Sequence, residues 1–345
     1  MYVRHKPKGG DELNMIAKES NGAIVQENKS KIILRRIAGY FLSSPLVLVI
    51  ILLGLILTFT TRSFMTGTNL LNVLRQVSFN MILATGQTFV LISGGVDLSV
   101  GTGLALVGCI SALVMLKYGI AWGILAGLAT GLTLGLVNGF LVYKMKLPPF
   151  IVTLGTMTIA GGLSLYTTGG AIIFGLPEKF RYLGQGYIGF IPVPVVFSLV
   201  ILAFGIFLLH KTNFGLKVYA IGGNFEAARL SGINTSRVQF YVYLLSGLCA
   251  AVAGILLTSR VASAQPAYGK GYELLSVAAV LIGGTSLFGG EGKIWLTAVG
   301  AILLGVLSNG LNLLGVEFFW HDVVIGSVII LAVTFEQMRK NRKII

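Results

Sequence analysis

From Pro45 onward apolar residues run on for long stretches, interrupted by short clusters of glycine and charge. The pattern is neither the three-to-four spacing of a surface helix nor the alternation of a half-buried strand. Each stretch is about the 20 residues needed to cross a hydrocarbon layer of about 30 Å. The pattern predicts spans near 45–61, 76–93, 99–116, 120–142, 150–168, 193–209, 239–258, 274–288, 294–314 and 322–336. In lipid each span must satisfy its own backbone, so helix is the expected conformation. The expected fold class is all-α and polytopic, with about ten transmembrane helices. Residues 1–40 are read as a basic N-terminal tail, 41–337 as the membrane domain and 338–345 as a basic C-terminal tail.

Composition narrows the function. Only 11% of the 345 residues are charged, against about 25% in a soluble domain, which excludes a soluble enzyme and a disordered chain. The two cysteines, Cys109 and Cys249, lie in apolar runs and read as packing residues, not as a disulfide or metal site. A net charge of +14 would suit nucleic acid in a soluble chain. Here its distribution explains it instead. With ten spans and an inside N-terminus, the cytoplasmic segments hold nineteen Lys/Arg and the outer segments seven, the positive-inside bias. The expected location is the cytoplasmic membrane with both termini inside; the expected medium is the bilayer, with no nucleic acid partner.

The acids after residue 36 are Asp97, Glu178, Glu226, Glu273, Glu291, Glu317, Asp322 and Glu336, all expected in loops or at span ends. A carboxylate at a helix centre usually marks a proton or ion path, so a proton-coupled pump is not expected. Paired carboxylates, a histidine cluster or a metal motif near the bilayer are also missing, which argues against an intramembrane enzyme; no cofactor or metal is expected. The polar side chains inside spans are neutral: Asn80, Gln87 and Thr88 on the second, Asn138 on the fourth, Asn309 and Asn312 on the ninth. Amides and hydroxyls offer donors and acceptors without ionic desolvation. Asn80, Gln87, Thr88, Asp97, Asn309 and Asn312 are therefore the expected path for a neutral polar solute, against the alternative of interhelical hydrogen bonds.

The fourth span carries Gly123, Gly127, Gly131, Gly135 and Gly139, one bare position every four residues, which predicts close helix packing. Between spans two and three, Gly94-Gly95-Val96-Asp97-Leu98-Ser99 should break the helix, with Asp97 capping its restart and facing an interface or a watery cavity. A looser echo, Gly289-Gly290-Glu291-Gly292, sits between spans eight and nine. The longest charged loop between spans is 210–238. Within it Asn224 reads as the N-cap of a seven-residue helix, Glu226 suits its positive end and Gly232 its stop. So short a helix needs something to pack on.

Glu226-Ala227-Ala228 followed by Gly232 resembles the coupling loop of ATP-binding cassette importer permeases. The stretch 94–99, preceded by Gly86-Gln87-Thr88 and followed by Gly101, is similar to the signature of permeases for ribose, galactose, arabinose, xylose and autoinducer-2, as is Ala278 to Gly292. The likeness runs from about residue 40 to 337. It implies the importer permease fold and a subunit paired with a second permease, identical or a sister chain. Two cytoplasmic ATP-binding subunits would dock on Asn224, Glu226, Ala227, Ala228, Arg229 and Gly232, and an extracytoplasmic binding protein would deliver the sugar. Independently, the chain lacks G-x-x-x-x-G-K-[ST], so it holds no P-loop of its own. A self-sufficient carrier would also show ten glycine-rich spans, but has no need of the compact capped helix. The solute is left as a pentose, a hexose, a furanosyl signal or a nucleoside.

Overall fold

A computed structural model describes residues 45–343. The expected tail at 1–40 lies outside the described residues. The chain divides between Ile51 and Leu52. Of the first unit only the opening turns of α1 (Pro45–Thr60) are described, and everything below concerns the second.

The order after α1 is α2 (Gly67–Ile92), α3 (Val100–Tyr118), α4 (Ile120–Tyr143), α5 (Pro149–Thr168), a short α6 (Glu178–Gln185), and a hairpin of β1 (Tyr187–Ile188) and β2 (Ile191–Pro192). Then follow α7 (Val193–Lys211), α8 (Asn213–Gly223), α9 (Phe225–Leu230), α10 (Thr235–Val261), α11 (Tyr272–Ile282), α12 (Ile294–Leu313) and α13 (Phe318–Lys343). The hairpin pairs antiparallel, Tyr187 opposite Pro192 and Ile188 opposite Ile191.

Every expected span contains a helix, yet the helices are not equivalent. Among the described residues six are long and apolar enough to cross a membrane: α3, α4, α5, α7, α10 and α12. The eighth expected span is not one continuous helix. Its helix, α11, has 11 residues, about 16 Å at about 1.5 Å per residue, half of a hydrocarbon core. Glycine is the cause. Gly284 takes φ +78°, its N–H returns to Leu281 O and that of Thr285 to Val280 O, the paired bonds that terminate a helix through a left-handed glycine.

α2 is the axis of the second unit. It is buried without a break from Val77 to Ile92, packed by α10, α12, α7 and α11. Surrounded by protein, it can carry the amides and hydroxyls that lipid would reject. The glycines of α4 behave as their spacing predicts. A β-carbon on Gly131 would stand 2.6 Å from both the Ala251 side chain and the Gly247 carbonyl, and one on Gly135 2.6 Å from the Tyr243 carbonyl. α4 and α10 thus touch backbone to backbone, the approach that small residues permit where lipid gives no hydrophobic drive.

Candidate functional site

α2 ends as α11 does. Gly94 has φ +83°, with Gly94 N–H on Leu91 O and Gly95 N–H on Val90 O. The structural counterpart of Gly94 is therefore Gly284, not Gly289 as the sequence echo suggests. Gly289 and Gly290 lie further along that loop, both at positive φ. The N-cap position of α3 falls two residues later than expected, at Ser99, whose side chain makes no capping bond. Asp97 Oδ1 accepts from the Ser99 N–H (3.0 Å) and hydroxyl (2.6 Å), and Oδ2 from the Ser246 hydroxyl on α10 (2.7 Å).

This carboxylate is not on a watery face: Asp97 is 1% exposed. Gln87 on α2 brackets its backbone, the amide nitrogen donating to Asp97 O (3.3 Å) and the amide oxygen accepting from Asp97 N–H (3.2 Å). Asn138 on α4 donates to the Ser99 hydroxyl (2.8 Å), and Thr156 on α5 donates to Asn138 Oδ1 (2.7 Å). Thr153 on α5 donates to Val96 O (3.1 Å). The break is thereby tied to four helices. Tyr243 sets its phenolic hydroxyl against Gly95, 2.5 Å from where a β-carbon would stand.

The other expected path residues sit elsewhere. Asn309 and Asn69 exchange a reciprocal pair of amide bonds, 3.0 and 2.9 Å. Thr88 and Thr297 share a hydroxyl bond of 3.0 Å, and Asn312 is exposed. Asn80 donates to Leu275 O at 3.5 Å. Only Gln87 and Asp97 fall in one network.

The 210–238 loop folds as two helices. In α9 the Asn224 side chain accepts the Ala227 N–H at 2.9 Å. Gly232, φ +80°, ends it with the same paired bonds, to Arg229 O and from Ile233 to Ala228 O. The helix has six residues rather than seven. It buries Ala228 and leaves Phe225, Leu230 and the Glu226–Arg229 ion pair (2.8 Å) outward. A cleft of about 510 Å³ separates α9 from the α4–α5 turn, lined by Tyr143, Leu147 and Pro149 opposite Phe225 and Arg229. α8 then joins this loop to both breaks. Tyr219 donates to Gly292 O (2.6 Å), the Gly290 N–H donates to Ile92 O (2.9 Å), and Gly222 fits against Ile92 O with no room for a β-carbon.

Sequence reasoning missed one acid. Glu273, in the first turn of α11, is 7% exposed. Its Oε1 accepts only the Gly271 N–H (3.2 Å), and Oε2 has no hydrogen-bond partner among the described residues. A buried acceptor left bare costs about 1–3 kcal/mol, more when charged. Glu273 and Asp97 do lie at helix ends as expected, but both side chains are buried, and Glu336 falls within α13 rather than at its end. The available signal was the glycine-flanked acid opening an apolar run, Gly271-Tyr272-Glu273.

Residues 69–333 match the family described as branched-chain amino acid transport system / permease component. The chain is 50% identical to the ribose import permease protein RbsC of Bacillus subtilis, over 84% of this chain and 90% of the relative. It is 41% identical to the ribose import permease protein RbsC of Escherichia coli K12, over 86% and 93%. It is 40% identical to the L-arabinose transport system permease protein AraH of the same strain, over 81% and 86%. No solved structure matches the chain.

Proposed function

The chain belongs to the family of permease subunits of ATP-binding cassette monosaccharide importers, and from that premise we propose that it carries a ribose-like monosaccharide across the cell membrane. It is a transport subunit, not an enzyme. The observation that carries the sugar assignment is 50% identity to a ribose permease over nine-tenths of that relative's length.

In this reading the chain crosses the membrane about ten times with both termini cytoplasmic, α11 and the segments around it making one of the crossings. A second permease copy or sister chain completes the pathway, and an extracytoplasmic binding protein delivers the sugar. ATP-binding subunits supply the work through α9. Two features support α9 as the docking element: it is capped at both ends, by Asn224 and Gly232, and it presents Phe225 and Leu230 outward. Ala227 sits on the exposed side and Ala228 on the buried side. Of the path residues on α2, Asn80 is the one whose side-chain oxygen keeps no partner among the described residues.

The test is reconstitution of the permease with its ATPase and binding protein, followed by Gly232→Arg. A non-glycine residue in a left-handed conformation costs about 1–2 kcal/mol, and the added side chain stands at the docking end of α9. Sugar-stimulated ATP hydrolysis falls at least tenfold. Unchanged stimulation refutes the docking role, and uptake by the wild-type permease without any ATPase makes it a carrier.

A further inference from the structure

α11 is a half-length helix whose first turn points Glu273 inward and Leu274 outward. The chain reaches it through a 3-10 turn, Pro266–Gly269, and Gly271 at φ +88°. Interrupted helices of this kind place polar groups at the depth where transporters hold their solutes. Here the group is Glu273, at the end of α11 where unpaired N–H groups favour negative charge. The first turn of α3 closes over it. Gly101 lies so close to Glu273 Oε2 that a β-carbon would overlap the oxygen, and it also abuts the Gly269 carbonyl.

Asn80 joins the same turn from α2. Its amide nitrogen donates to Leu275 O (3.5 Å), while its Oδ1 is buried with no partner among the described residues. Two acceptors, Glu273 Oε2 and Asn80 Oδ1, therefore flank the first turn of α11 without a donor. Buried acceptors are paired as a rule, and each exception calls for an explanation. An anionic ligand is repelled by the carboxylate. A neutral ligand rich in hydroxyls supplies the missing donors, as O–H groups to a carboxylate and to an amide oxygen.

We propose that Glu273, assisted by Asn80, is the specificity-determining acceptor of the pathway, taking a hydroxyl hydrogen bond from the solute when the first turn of α3 withdraws from α11. This rests on the monosaccharide-importer reading above. It deepens that reading by naming the atom that reads a hydroxyl.

The experiment measures uptake of D-ribose and of its monodeoxy analogues by the full importer in proteoliposomes, with saturating binding protein. A site that hydrogen-bonds a substrate hydroxyl rejects the analogue lacking it. The wild type discriminates against one of the analogues about tenfold. Glu273→Gln, which keeps the shape but removes the carboxylate, brings that ratio to within about twofold of unity. A merely structural role lowers both rates together and leaves the ratio intact, which overturns the assignment. Asn80→Ala carries the same expectation at about threefold and serves where Glu273→Gln does not assemble with the ATPase. A sodium requirement that Glu273→Gln abolishes places a cation on these oxygens and also overturns it. A wild-type importer that moves no pentose brings down the functional reading and this one with it; a wild type that moves ribose with an unaltered variant ratio brings down Glu273 alone.

Discussion

Two helix breaks in this protein end on the same motif and hold their acids in opposite ways. After α2, the left-handed Gly94 is followed by Asp97, whose carboxylate receives three donors from Ser99 and Ser246. The half-helix that ends on the left-handed Gly284 opens with Glu273, which receives one donor and keeps an oxygen bare. Both acids are buried, so burial alone does not separate them. Hydrogen-bond accounting does: the satisfied acid acts as a pin, and the unsatisfied one is, on the proposal above, an opening for a ligand. The pair lies on either side of one turn, since Gly101, four residues after Asp97, is the residue packed on Glu273.

The largest expected effect removes the pin. Asp97→Ala deletes the acceptor of three hydrogen bonds and leaves the Ser99 and Ser246 donors orphaned in the bundle. The cost is about 3 kcal/mol, since each of the three hydrogen bonds is worth about 1 kcal/mol. At about 2 °C per kcal/mol for a large domain, the unfolding midpoint of the purified protein in detergent falls by about 6 °C. Glu273→Gln, removing a charge that has one donor, shifts the same midpoint by less than about 2 °C. The comparison is broken if the two shifts are equal or reversed.

How much of this was readable beforehand differs between the breaks. Glycine periodicity announced a close-packing face on α4, though not that α10 fills it, and the caps of α9 followed from Asn224 and Gly232, because those effects are local or helical in period. The end of α2 was visible in Gly94-Gly95. Partners from distant parts of the chain were not. Ser246 reaches Asp97 across 149 residues, and nothing in the 94–99 stretch names it. Glu273 looked like a loop acid because Gly269 and Gly271 flank Lys270 there; only the return of the chain into the bundle buries it. The eighth span is a shorter helix than expected: Gly283-Gly284 were visible in its run, but only the paired bonds to Leu281 and Val280 show that the helix stops there. The sequence echo at Gly289-Gly290 also misplaced the equivalence: those residues serve the contact with Gly222 and Gly223, while Gly284 ends the helix.

A middle-sized effect asks whether both breaks answer to one lever. Gly222 of α8 meets Ile92 O, the end of α2, and the Gly290 N–H, beyond α11. Gly222→Ala forces a methyl into that junction, an overpacking worth about 1–3 kcal/mol. In the reconstituted importer, sugar-stimulated ATP hydrolysis falls about tenfold while the ATPase still copurifies. The neighbouring Gly223 has open space where its β-carbon would stand, so Gly223→Ala stays within about 0.5 kcal/mol of wild type, as open surface sites do. Equal coupling in the two variants separates α8 from the breaks and leaves their contrast purely structural.

The smallest effect sharpens the same contrast away from the breaks. Thr88 also stands on α2, one residue from Gln87, but its hydroxyl is used twice: it donates to Ala84 O at 2.7 Å and can accept the Thr297 hydroxyl of α12 at 3.0 Å. A satisfied hydroxyl behaves as Asp97 does, on a smaller scale. Interhelical bonds of this kind average about 0.6 kcal/mol in membrane bundles. Thr88→Val keeps the shape and deletes the bond, so the midpoint falls by about 1 °C at about 2 °C per kcal/mol, and ribose uptake stays within about twofold of wild type. A tenfold loss of uptake at unchanged midpoint would put Thr88 among the solute contacts. It would also show that a filled hydrogen-bond inventory in this static arrangement does not exempt a residue from the path, because alternating access can exchange one partner for another.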